Sequence, residues 1–318
     1  MTTVRIALFA YSQIGVRVLE TLLRLDHAVV HVVTHTDRVD EVIWFDSMAS
    51  HARARGLALT ELPAGGKRPS RTAADAMATL RTTLERAQPD LILSASFRSL
   101  IPLEILSIAR KGALNLHGSL LPRYRGRAPL NWVLVNGESE TGMTLHHMTD
   151  VADAGDVVAR VRLPIGEDET APELARRLED AAEHLLERML GPIEQGTAPR
   201  LEQDEALATT FPRRRPADGR FAWTWSARRI HDLVRAVTRP YPGAYCQTER
   251  GKLFVWRTRV AESKLVAGLR PGDAVTSDRG EPVRTLGPEA GTRSVVVATG
   301  GGALELLEWE LREGEEQR

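Results

Sequence analysis

Apolar runs of strand length alternate with amphipathic helical segments early in the chain, and this alternation restricts the fold more than any other feature. The runs cover residues 4–10, 28–34, 90–95 and 113–116. Between the first two, residues 14–25 carry apolar side chains at helical spacing. The pattern predicts an α/β fold: a Rossmann-like, open, mainly parallel sheet with helices on both faces. In such a sheet, ligands bind beyond the carboxyl ends of the strands.

The turn after the first strand argues against a dinucleotide cofactor. Residues 9–15 have the sequence Phe-Ala-Tyr-Ser-Gln-Ile-Gly. They lack the Gly-x-Gly-x-x-Gly fingerprint that holds a pyrophosphate in NAD-binding domains of this architecture. We therefore predict that the protein does not use NAD.

The second half of the chain has a different pattern. An amphipathic helix over residues 171–195 is followed by a polar connection with three arginines at 213–215, and by a short helix over 226–238. Beyond residue 243, short strands are separated by Gly, Pro and Asp, which is typical of a compact β-barrel. We predict a catalytic domain over residues 1–200 and a smaller C-terminal open β-barrel (OB-like) domain over residues 201–318. Within the first domain, residues 44–55 predict a helix and residues 63–71 a surface loop.

Charge and cysteine content exclude several classes of function. The chain of 318 residues carries 42 basic and 42 acidic side chains, so no overall field attracts nucleic acid or an anionic membrane. A single cysteine, Cys246, cannot form an internal disulfide and fits a reducing cytoplasm. Because the sequence shows neither a charged leader nor an apolar segment of membrane-spanning length, we expect a cytoplasmic protein.

Candidate catalytic residues lie where the fourth apolar run ends. Asn115 and His117 are separated by one residue, so their side chains share one face of a strand. The loop that follows is rich in Gly and Pro and contains Arg123, Arg125 and Arg127. A histidine beside a carboxamide and several guanidinium groups suits proton transfer at a neutral nucleophile near an anionic ligand. Taken alone, the same His and Asn are also typical of a structural hydrogen bond and of a turn.

A second strand end adds carboxylates. An alternating segment of strand type leads into a turn that contains Asp150, Asp153 and Asp156. Catalytic histidines generally require such an acid to orient the imidazole, although the sequence does not separate the directions of the three. The adjacent His146 and His147 would point to opposite faces of the strand, and no partner at a recognised spacing completes a metal site. We therefore predict no metal.

These motifs resemble a known family. Asn115-Leu-His117, the Ser-Leu-Leu-Pro-Arg-Tyr-Arg-Gly that follows, and Ala-Asp153-Ala-Gly resemble the signature of N10-formyltetrahydrofolate-dependent formyltransferases. Residues 118–146 most resemble the branch that formylates UDP-4-amino-4-deoxy-L-arabinose, the formyltransferase part of a bifunctional polymyxin-resistance enzyme. Further matches at residues 9–11, 34–37 and 234–236 extend the resemblance over most of the chain.

The resemblance implies a reaction and the residues that perform it. A formyl group would move from N10-formyltetrahydrofolate to an amine, without metal or nicotinamide. His117 would transfer protons and contact the oxyanion, and Asn115 would donate a hydrogen bond to that oxyanion. Asp153 would orient His117 and favour its charged form.

The resemblance also implies binding residues for both ligands. Folate contacts would come from two strand ends and the arginine loop: Arg98, Ser99, Leu100, Ile101, Arg127, Thr149, Asp150, Val151 and Ala152. Contacts to the sugar nucleotide would come from Tyr11, Ser12, Arg123, Arg125 and Arg214. From the residues alone, ordinary strand-end packing at 98–101 and a solvated linker at 213–215 stay open as alternatives.

The prediction is thus a cytoplasmic N-formyltransferase acting on a sugar nucleotide. The closest resemblance implies UDP-4-amino-4-deoxy-L-arabinose, on the route to lipid A modification and polymyxin resistance. The expected partners are two small molecules, with no nucleic acid and no membrane, and a homo-oligomer stays open. The alternatives are another UDP- or dTDP-amino sugar, initiator methionyl-tRNA, or a non-catalytic folate- or nucleotide-binding module.

Charge distribution separates the tRNA alternative from the sugar nucleotides. Methionyl-tRNA formyltransferases carry a basic insertion early in the first domain, whereas residues 37–46 here are acidic and apolar. A short basic segment at residues 65–71 is the one local counter-signal. Binding tRNA requires many phosphate contacts, so a small diphosphate ligand is favoured. The non-catalytic module is disfavoured because Asn115, His117 and Asp153 are all present.

Overall fold

A computed structural model describes residues 4–37, 43–63, 71–277, 281–283 and 294–313. The α-helices are α1 (Ser12–Arg24), α2 (Met48–Ala54), α3 (Arg71–Ala87), α4 (Leu103–Leu106), α5 (Pro129–Val135), α6 (Ala171–Gln195) and α7 (Ala227–Val237). The strands are β1 (Arg5–Ala10), β2 (Ala28–His35), β3 (Leu59–Leu62), β4 (Leu91–Ala95), β5 (Ala113–His117), β6 (Arg125–Gly126), β7 (Glu140–His147), β8 (Val157–Pro164), β9 (Thr210–Phe211), β10 (Ala244–Thr248), β11 (Gly251–Ala261), β12 (Ala274–Thr276), β13 (Pro282–Val283), β14 (Val295–Ala298) and β15 (Ala303–Glu313). Short 3-10 helices cover Glu205–Leu207, Pro216–Gly219 and Ser263–Val266.

The chain divides into two compact units, each built from several stretches of sequence. The first comprises Met1–Gly126, Thr141–Leu163 and Arg176–Thr210, and the second comprises Arg127–Glu140, Pro164–Ala175 and Phe211–Arg318. Each unit contains its own large sheet. The predicted boundary between residues 200 and 201 would separate two domains continuous in sequence, and it stays a prediction.

The first unit contains a seven-stranded sheet in the order β3-β2-β1-β4-β5-β7-β8. β1 pairs in parallel with β2 and β4, β2 with β3, and β4 with β5. β7 runs antiparallel to β5. The mainly parallel α/β sheet is therefore confirmed. Parallel strands are covered on both faces, which explains why all residues of β1 after Arg5 are buried and apolar.

Amphipathic helices attach to this sheet through their apolar faces. α1 buries Val16, Leu19 and Leu22. Leu80 and Leu84 of α3 join a core cluster with apolar residues of β1, β2 and β4. Burial of each such leucine or valine contributes about 1.5–3 kcal/mol. The helical spacing of these residues therefore accounts for both the helices and their position.

The second unit contains a six-stranded sheet in the order β10-β11-β15-β14-β12-β13. Its described pairings are antiparallel, which confirms the smaller C-terminal domain of antiparallel strands; among the described residues the sheet ends at β10 and β13. Ser226 caps the N-terminus of α7, because its hydroxyl accepts a hydrogen bond from the N–H of Arg229 at 3.3 Å. Most of α7 is buried, because it packs against both α5 and β11.

Most predicted elements are confirmed, with one shorter helix. The four predicted strands match β1, β2, β4 and β5 to within one residue at each end. The helix predicted over residues 44–55 begins only at Met48, because the Ser47 hydroxyl caps it by accepting the N–H of Ser50 at 3.4 Å. The loop predicted over 63–71 falls largely on residues 64–70, outside the described ranges. Within those ranges, no helix combines the length and apolar composition needed to cross a membrane.

Candidate active site

Predicted site residues from three stretches of sequence meet at one edge of the first sheet. β1, β4 and β5 are neighbouring parallel strands, so their carboxyl ends lie together. Tyr11 and Ser12 follow β1, Arg98 follows β4, and Asn115 and His117 lie near the end of β5. This edge is where open α/β sheets bind their ligands.

The carboxamide of Asn115 is oriented by two acceptors. In the β5–β7 pair Asn115 stands directly opposite His146, and its Nδ2 lies 3.1 Å from His146 Nε2. His146 Nδ1 donates to the carbonyl of His147 at 2.8 Å, so in the neutral form of the ring Nε2 is the acceptor. Asn115 Nδ2 also lies 3.5 Å from Asp153 Oδ1, the outer limit of a hydrogen bond. The N–H on that side is therefore the one available for a developing oxyanion.

His117 lies between a backbone carbonyl and a carboxylate. The residue is 6% exposed. Its Nε2 donates to the carbonyl of Tyr124 at 2.7 Å, and its Nδ1 lies 3.4 Å from Asp153 Oδ1. Because the Nε2–H is committed to a carbonyl, a proton that the imidazole takes up is placed on Nδ1. Asp153 is then positioned to stabilise the resulting imidazolium.

Burial and charge set the protonation states of this pair. Burial lowers the pKa of His117, while the charge of Asp153 and the Tyr124 carbonyl oppose the shift without cancelling it. The predicted effect of Asp153 on His117 is thus present but smaller than the effect of burial, and the neutral imidazole dominates near pH 7. Burial also opposes ionisation of Asp153, but three groups outweigh it and lower the Asp153 pKa: His117, which is charged at the low pH where this carboxyl titrates, a hydrogen bond from His146, and the Gly126 N–H at 2.9 Å. The carboxylate is therefore ionised at neutral pH.

The turn after β7 is shaped to present Asp153. This residue has a φ of 57°, a left-handed conformation that Asp tolerates better than most residues. Gln203, 5% exposed, donates through Nε2 to the carbonyls of Asp153 at 2.8 Å and Gly155 at 2.6 Å. A Cβ at Gly155 would lie 2.1 Å from the carbonyl oxygen of His147, so the turn requires glycine there. Side chains distant in sequence therefore fix the direction of the carboxylate.

The rest of this predicted folate-binding turn lies on the surface. Residues 149–152 are all exposed. Thr149 Oγ1 donates to the carbonyl of Val151 at 3.0 Å and accepts from the N–H of Val151 at 3.2 Å, which closes the turn. Asp156 forms an ion pair with Arg200 at 2.6 Å. The turn thus directs Asp153 to His117, while the carboxylate of Asp156 pairs elsewhere.

The stretch after β4 divides between surface and core. Leu100 is 72% exposed, whereas Ile101 is 6% exposed and belongs to the core cluster under the sheet. Ser99 Oγ lies 3.5 Å from His35 Nε2. The Ile101 side chain packs in the core and that of Leu100 is exposed to solvent, while the folate contacts of both residues stay predictions.

Tyr11 and Arg98 form one aromatic cluster, although the resemblance assigned them to different ligands. The guanidinium carbon of Arg98 lies 4.1 Å from the centroid of the Tyr11 ring. The Tyr11 hydroxyl donates to Asp37 at 3.3 Å, and His35 stacks on Phe97 with ring centroids 4.3 Å apart. Residues 34–37, to which the sequence assigned no chemical step, thus lie beside two predicted binding residues.

The two arginines of the loop in the first unit have different roles. Arg125, 7% exposed, donates through Nε and Nη2 to Gln203 Oε1 at 3.3 and 2.8 Å. Its Nη1 and Nη2 also donate to the Glu205 carboxylate at 2.9 and 2.6 Å. These bonds hold the loop in place through Arg125, and its contact with the sugar nucleotide stays a prediction. Arg123 is exposed, with its guanidinium 5.8 Å from the ring of Tyr124.

Two other predicted arginines belong to the second unit. Arg127 is exposed, and its backbone N–H donates to the carbonyl of Phe211 at 2.9 Å. Arg214 lies over the ring of Trp132 at 4.6 Å and donates through Nη2 to the carbonyl of Asp218 at 2.9 Å. Burial lowers the pKa of Arg214, but a guanidinium remains charged in proteins. Both are therefore cations with well-defined local contacts in their own unit.

Two residues of the site were not predicted from the sequence. His146 was considered only as a metal ligand, and its position opposite Asn115 depends on the antiparallel pairing of β5 with β7. Gln203 lies in a segment without a motif, 50 positions from Asp153.

In the described ranges, no group of three or more His, Cys, Asp or Glu side chains has the arrangement of a metal site.

One polar cluster lies at the carboxyl edge of the sheet and comprises Asn115, His117, His146 and Asp153. The cluster offers a neutral imidazole as proton acceptor, an ionised carboxylate to stabilise the imidazolium, and an oriented amide N–H. These groups suit acyl transfer to a neutral nucleophile, which requires removal of a proton and stabilisation of an oxyanion.

Comparison with known proteins agrees with this chemistry. A model of the formyl transferase family matches residues 5–190, and a model of the formyl transferase C-terminal domain matches residues 214–318. An N-formyltransferase from Helicobacter canadensis, solved with folinic acid and dTDP-3-aminofucose, has a TM-score of 0.67 at 16% identity, over 96% of this chain and 100% of that one. The sugar 3N-formyl transferase WlaRD, solved with dTDP and 5-N-formyl-THF, has a TM-score of 0.65 at 16% identity over 100% of both chains. HypX from Aquifex aeolicus, solved with tetrahydrofolic acid, has a TM-score of 0.62 at 18% identity, over 99% of this chain and 45% of that one. At these identities the solved structures show a shared fold.

Proposed function

Because the chain belongs to the formyl transferase family, we propose that it formylates an amino group of a sugar nucleotide. The cluster of Asn115, His117 and Asp153 carries the proposal, since it lies inside the segment that matches the family and supplies the groups that formyl transfer needs. Similar solved proteins bind folinic acid, 5-N-formyl-THF or tetrahydrofolic acid. The one-carbon donor of this enzyme is accordingly a formyltetrahydrofolate.

The side chains of the cluster divide the work of the transfer. The uncharged amine of the acceptor attacks the formyl carbon, the bond between that carbon and N10 of the folate breaks, and N10 takes up the proton that His117 removes from the amine. Neutral His117 accepts the amine proton on Nδ1, where Asp153 at 3.4 Å stabilises the imidazolium. Asn115, held by His146 at 3.1 Å, directs its other N–H to the formyl oxygen as negative charge develops there. One such donor contributes about 2.7–4 kcal/mol to catalysis.

The surroundings of the cluster fit a flat, partly apolar ligand. Leu100 is 72% exposed and Val151 is 58% exposed. They follow β4 and β7, the two neighbours of β5 in the sheet. Val151 is two residues from Asp153, and an exposed apolar side chain beside a polar cluster suits the heterocycle of a folate, which needs apolar contact over its faces and polar groups at its reacting end.

The acceptor that we propose is UDP-4-amino-4-deoxy-L-arabinose, whose formylated product serves lipid A modification and polymyxin resistance. Support comes from residues 118–146, where the resemblance to that branch is closest. The guanidinium of Arg98, 4.1 Å from the centroid of the buried Tyr11 ring, suits a phosphate. A dTDP-3-amino sugar is the second candidate, because a similar solved protein holds dTDP-3-aminofucose.

A formyl-transfer assay with mass detection of products tests the proposal. The purified protein is incubated with N10-formyltetrahydrofolate and, separately, with UDP-4-amino-4-deoxy-L-arabinose, dTDP-3-aminofucose or methionyl-tRNA. The His117→Ala variant serves as the control for uncatalysed transfer. We expect product from the UDP-4-amino sugar. Product from the dTDP-3-amino sugar alone would select the second candidate, and product from methionyl-tRNA alone would refute a sugar-nucleotide acceptor.

A further inference from the structure

The second unit contains a cavity of about 370 Å³ that shares no residue with the candidate active site. Small-molecule sites have volumes of about 300–1,000 Å³, so the cavity is large enough for a small metabolite. It is lined by the start of α6 and the loop before it, by α7, and by β11 and β15. All of these lining residues belong to the second unit.

Irregular pairing directs side chains of two strands into the cavity. The register of β11 against β15 shifts immediately before and after Arg257. Trp256 on β11 and Leu307 on β15 are therefore extra residues without a direct partner. In a regular strand, successive side chains point to opposite faces, yet Trp256, Arg257 and Thr258 all line the cavity together with Leu307. β-Bulges re-aim side chains in this way and are over-represented next to functional sites.

A buried guanidinium in the cavity wall has an edge without a protein acceptor. Arg235 is 3% exposed. Its Nε donates to Asp232 at 2.8 Å, and its Nη1 donates to the carbonyls of Gly166 at 3.3 Å and Glu169 at 3.2 Å. Among the residues that the structure describes, Nη2 of Arg235 has no acceptor. Nη2 is not fully buried, so it is reachable from the cavity that Arg235 lines, and a ligand oxygen there can accept its N–H.

The remaining groups of the wall define which ligand fits. Arg257 is exposed and has no ion pair or hydrogen bond with its side chain among the described residues, whereas its neighbour Arg259 pairs with Glu305 at 2.6 Å. Asp168, which also lines the cavity, is 71% exposed, and its Oδ1 lies 3.3 Å from His231 Nε2. Guanidinium groups bind phosphate and carboxylate oxygens, while an exposed carboxylate accepts hydrogen bonds from hydroxyl groups.

The central histidine of the cavity has a structural role. His231 Nε2 donates to the carbonyl of Glu167 at 3.1 Å, and its Nδ1 accepts from the hydroxyl of Thr258 at 3.0 Å. Both ring nitrogens are thus occupied by protein groups. The wall at His231 therefore has a fixed shape, and recognition falls to the arginines and the carboxylate.

We propose that this cavity binds a small hydroxylated oxyanion, with its phosphate or carboxylate on Arg257 and Nη2 of Arg235 and its hydroxyl groups towards Asp168. Trp256 and Leu307 supply the apolar side of the site. The proposal concerns a second binding site and does not depend on formyl transfer.

Calorimetric titration of the full-length protein, without folate or nucleotide and at fixed ionic strength, tests the proposal. Ribose 5-phosphate and ribonate present a phosphate and a carboxylate on related skeletons, and ribose lacks the oxyanion. We expect saturable binding of one or both oxyanions and none of ribose. Arg257→Ala should weaken that binding about 10- to 100-fold, as expected for a charge-assisted hydrogen bond, and Leu307→Trp should abolish it by filling the cavity.

Arg220→Ala is the matched control. Arg220 is an exposed arginine of the same unit that does not line the cavity, so its removal should leave binding unchanged. Absence of saturable binding by both oxyanions would overturn the proposal, as would unchanged affinity in Arg257→Ala or an equal loss in Arg220→Ala. Arg257 has no described side-chain partner, so we expect Arg257→Ala to fold. The test therefore stays decisive even if Leu307→Trp does not fold. Formyl transfer does not depend on this cavity, so none of these outcomes would change the result of the formyl-transfer assay.

Discussion

Replacement of Asp153 by Asn tests the central pair of the active site with little change of shape. Asn has nearly the same volume as Asp and also tolerates the φ of 57° found at this position. Its side-chain oxygen can still accept the N–H of Gly126, now at 2.9 Å from Asp153. The substitution therefore removes chiefly the negative charge that lies 3.4 Å from His117 Nδ1.

The magnitude follows from that distance. For unit charges 3.4 Å apart, with an effective dielectric constant of about 20, the attraction is roughly 5 kcal/mol. The Asn dipole and nearby water recover part of it, so we expect a loss of about 3–4 kcal/mol in transition-state stabilisation. This corresponds to a decrease of about 10²–10³-fold in kcat/KM. Steady-state formyl transfer by purified wild type and Asp153→Asn measures it.

The pH profile tests the same reasoning independently. Burial lowers the pKa of His117, and the Asp153 carboxylate opposes that shift by stabilising the imidazolium. Removal of the carboxylate must therefore lower the pKa of His117 further. If neutral His117 is the base, kcat/KM falls on the acid side of its pKa, and this acid limb should move to lower pH in Asp153→Asn.

Neighbouring aspartates supply the controls. Asp156 pairs with Arg200 at 2.6 Å, so Asp156→Asn should change kcat/KM by no more than about twofold, the equivalent of about 0.5 kcal/mol. Asp150 is exposed and is a predicted folate contact, so Asp150→Asn should cost far less than Asp153→Asn. Comparable losses in all three variants would refute the selection of Asp153. An acid limb that moves to higher pH would refute the role of its charge.

Three further predictions concern the same residues and the framework that holds them. His117→Ala should leave a folded protein and reduce kcat roughly 10²–10⁴-fold, and a near wild-type kcat in a pure preparation would disprove the assignment. Asp232→Ala should lower the free energy of unfolding in urea by about 3–5 kcal/mol, because it leaves Arg235 buried without its partner at 2.8 Å; a loss below about 1 kcal/mol would contradict this. Gly142→Ala should lower the melting temperature, because its Cβ would lie 2.1 Å from the carbonyl oxygen of Val161. Gly191→Ala in α6 is the matched control, because no atom lies within 4 Å of its added Cβ. It should raise the free energy of unfolding by about 0.5–1 kcal/mol. If both alanine variants shifted stability in the same direction, the steric explanation would be wrong.

Local periodicity in the sequence determined the strands and helices of the first unit. It also determined that the side chains of Asn115 and His117 lie on the same face of β5. Buried parallel strands appear as continuous apolar runs, and residues two apart share a strand face, so both are properties of neighbouring residues. The predicted strands accordingly match the observed ones to within one residue. The helix predicted over residues 44–55 was too long because apolar periodicity does not show where a side chain such as Ser47 caps the first turn.

Only the tertiary structure decided how chemically equal residues divide their roles. The sequence offers Arg123 and Arg125 as equivalent cations, yet Glu205, 80 positions from Arg125, engages one guanidinium and leaves the other exposed. Asp153 is selected from its turn by Gly126 and Gln203, 27 and 50 positions away. His146 reaches Asn115 only through the antiparallel register of β7. Each of these contacts depends on long-range pairing, and local sequence patterns carry no signal of which distant groups the fold brings together.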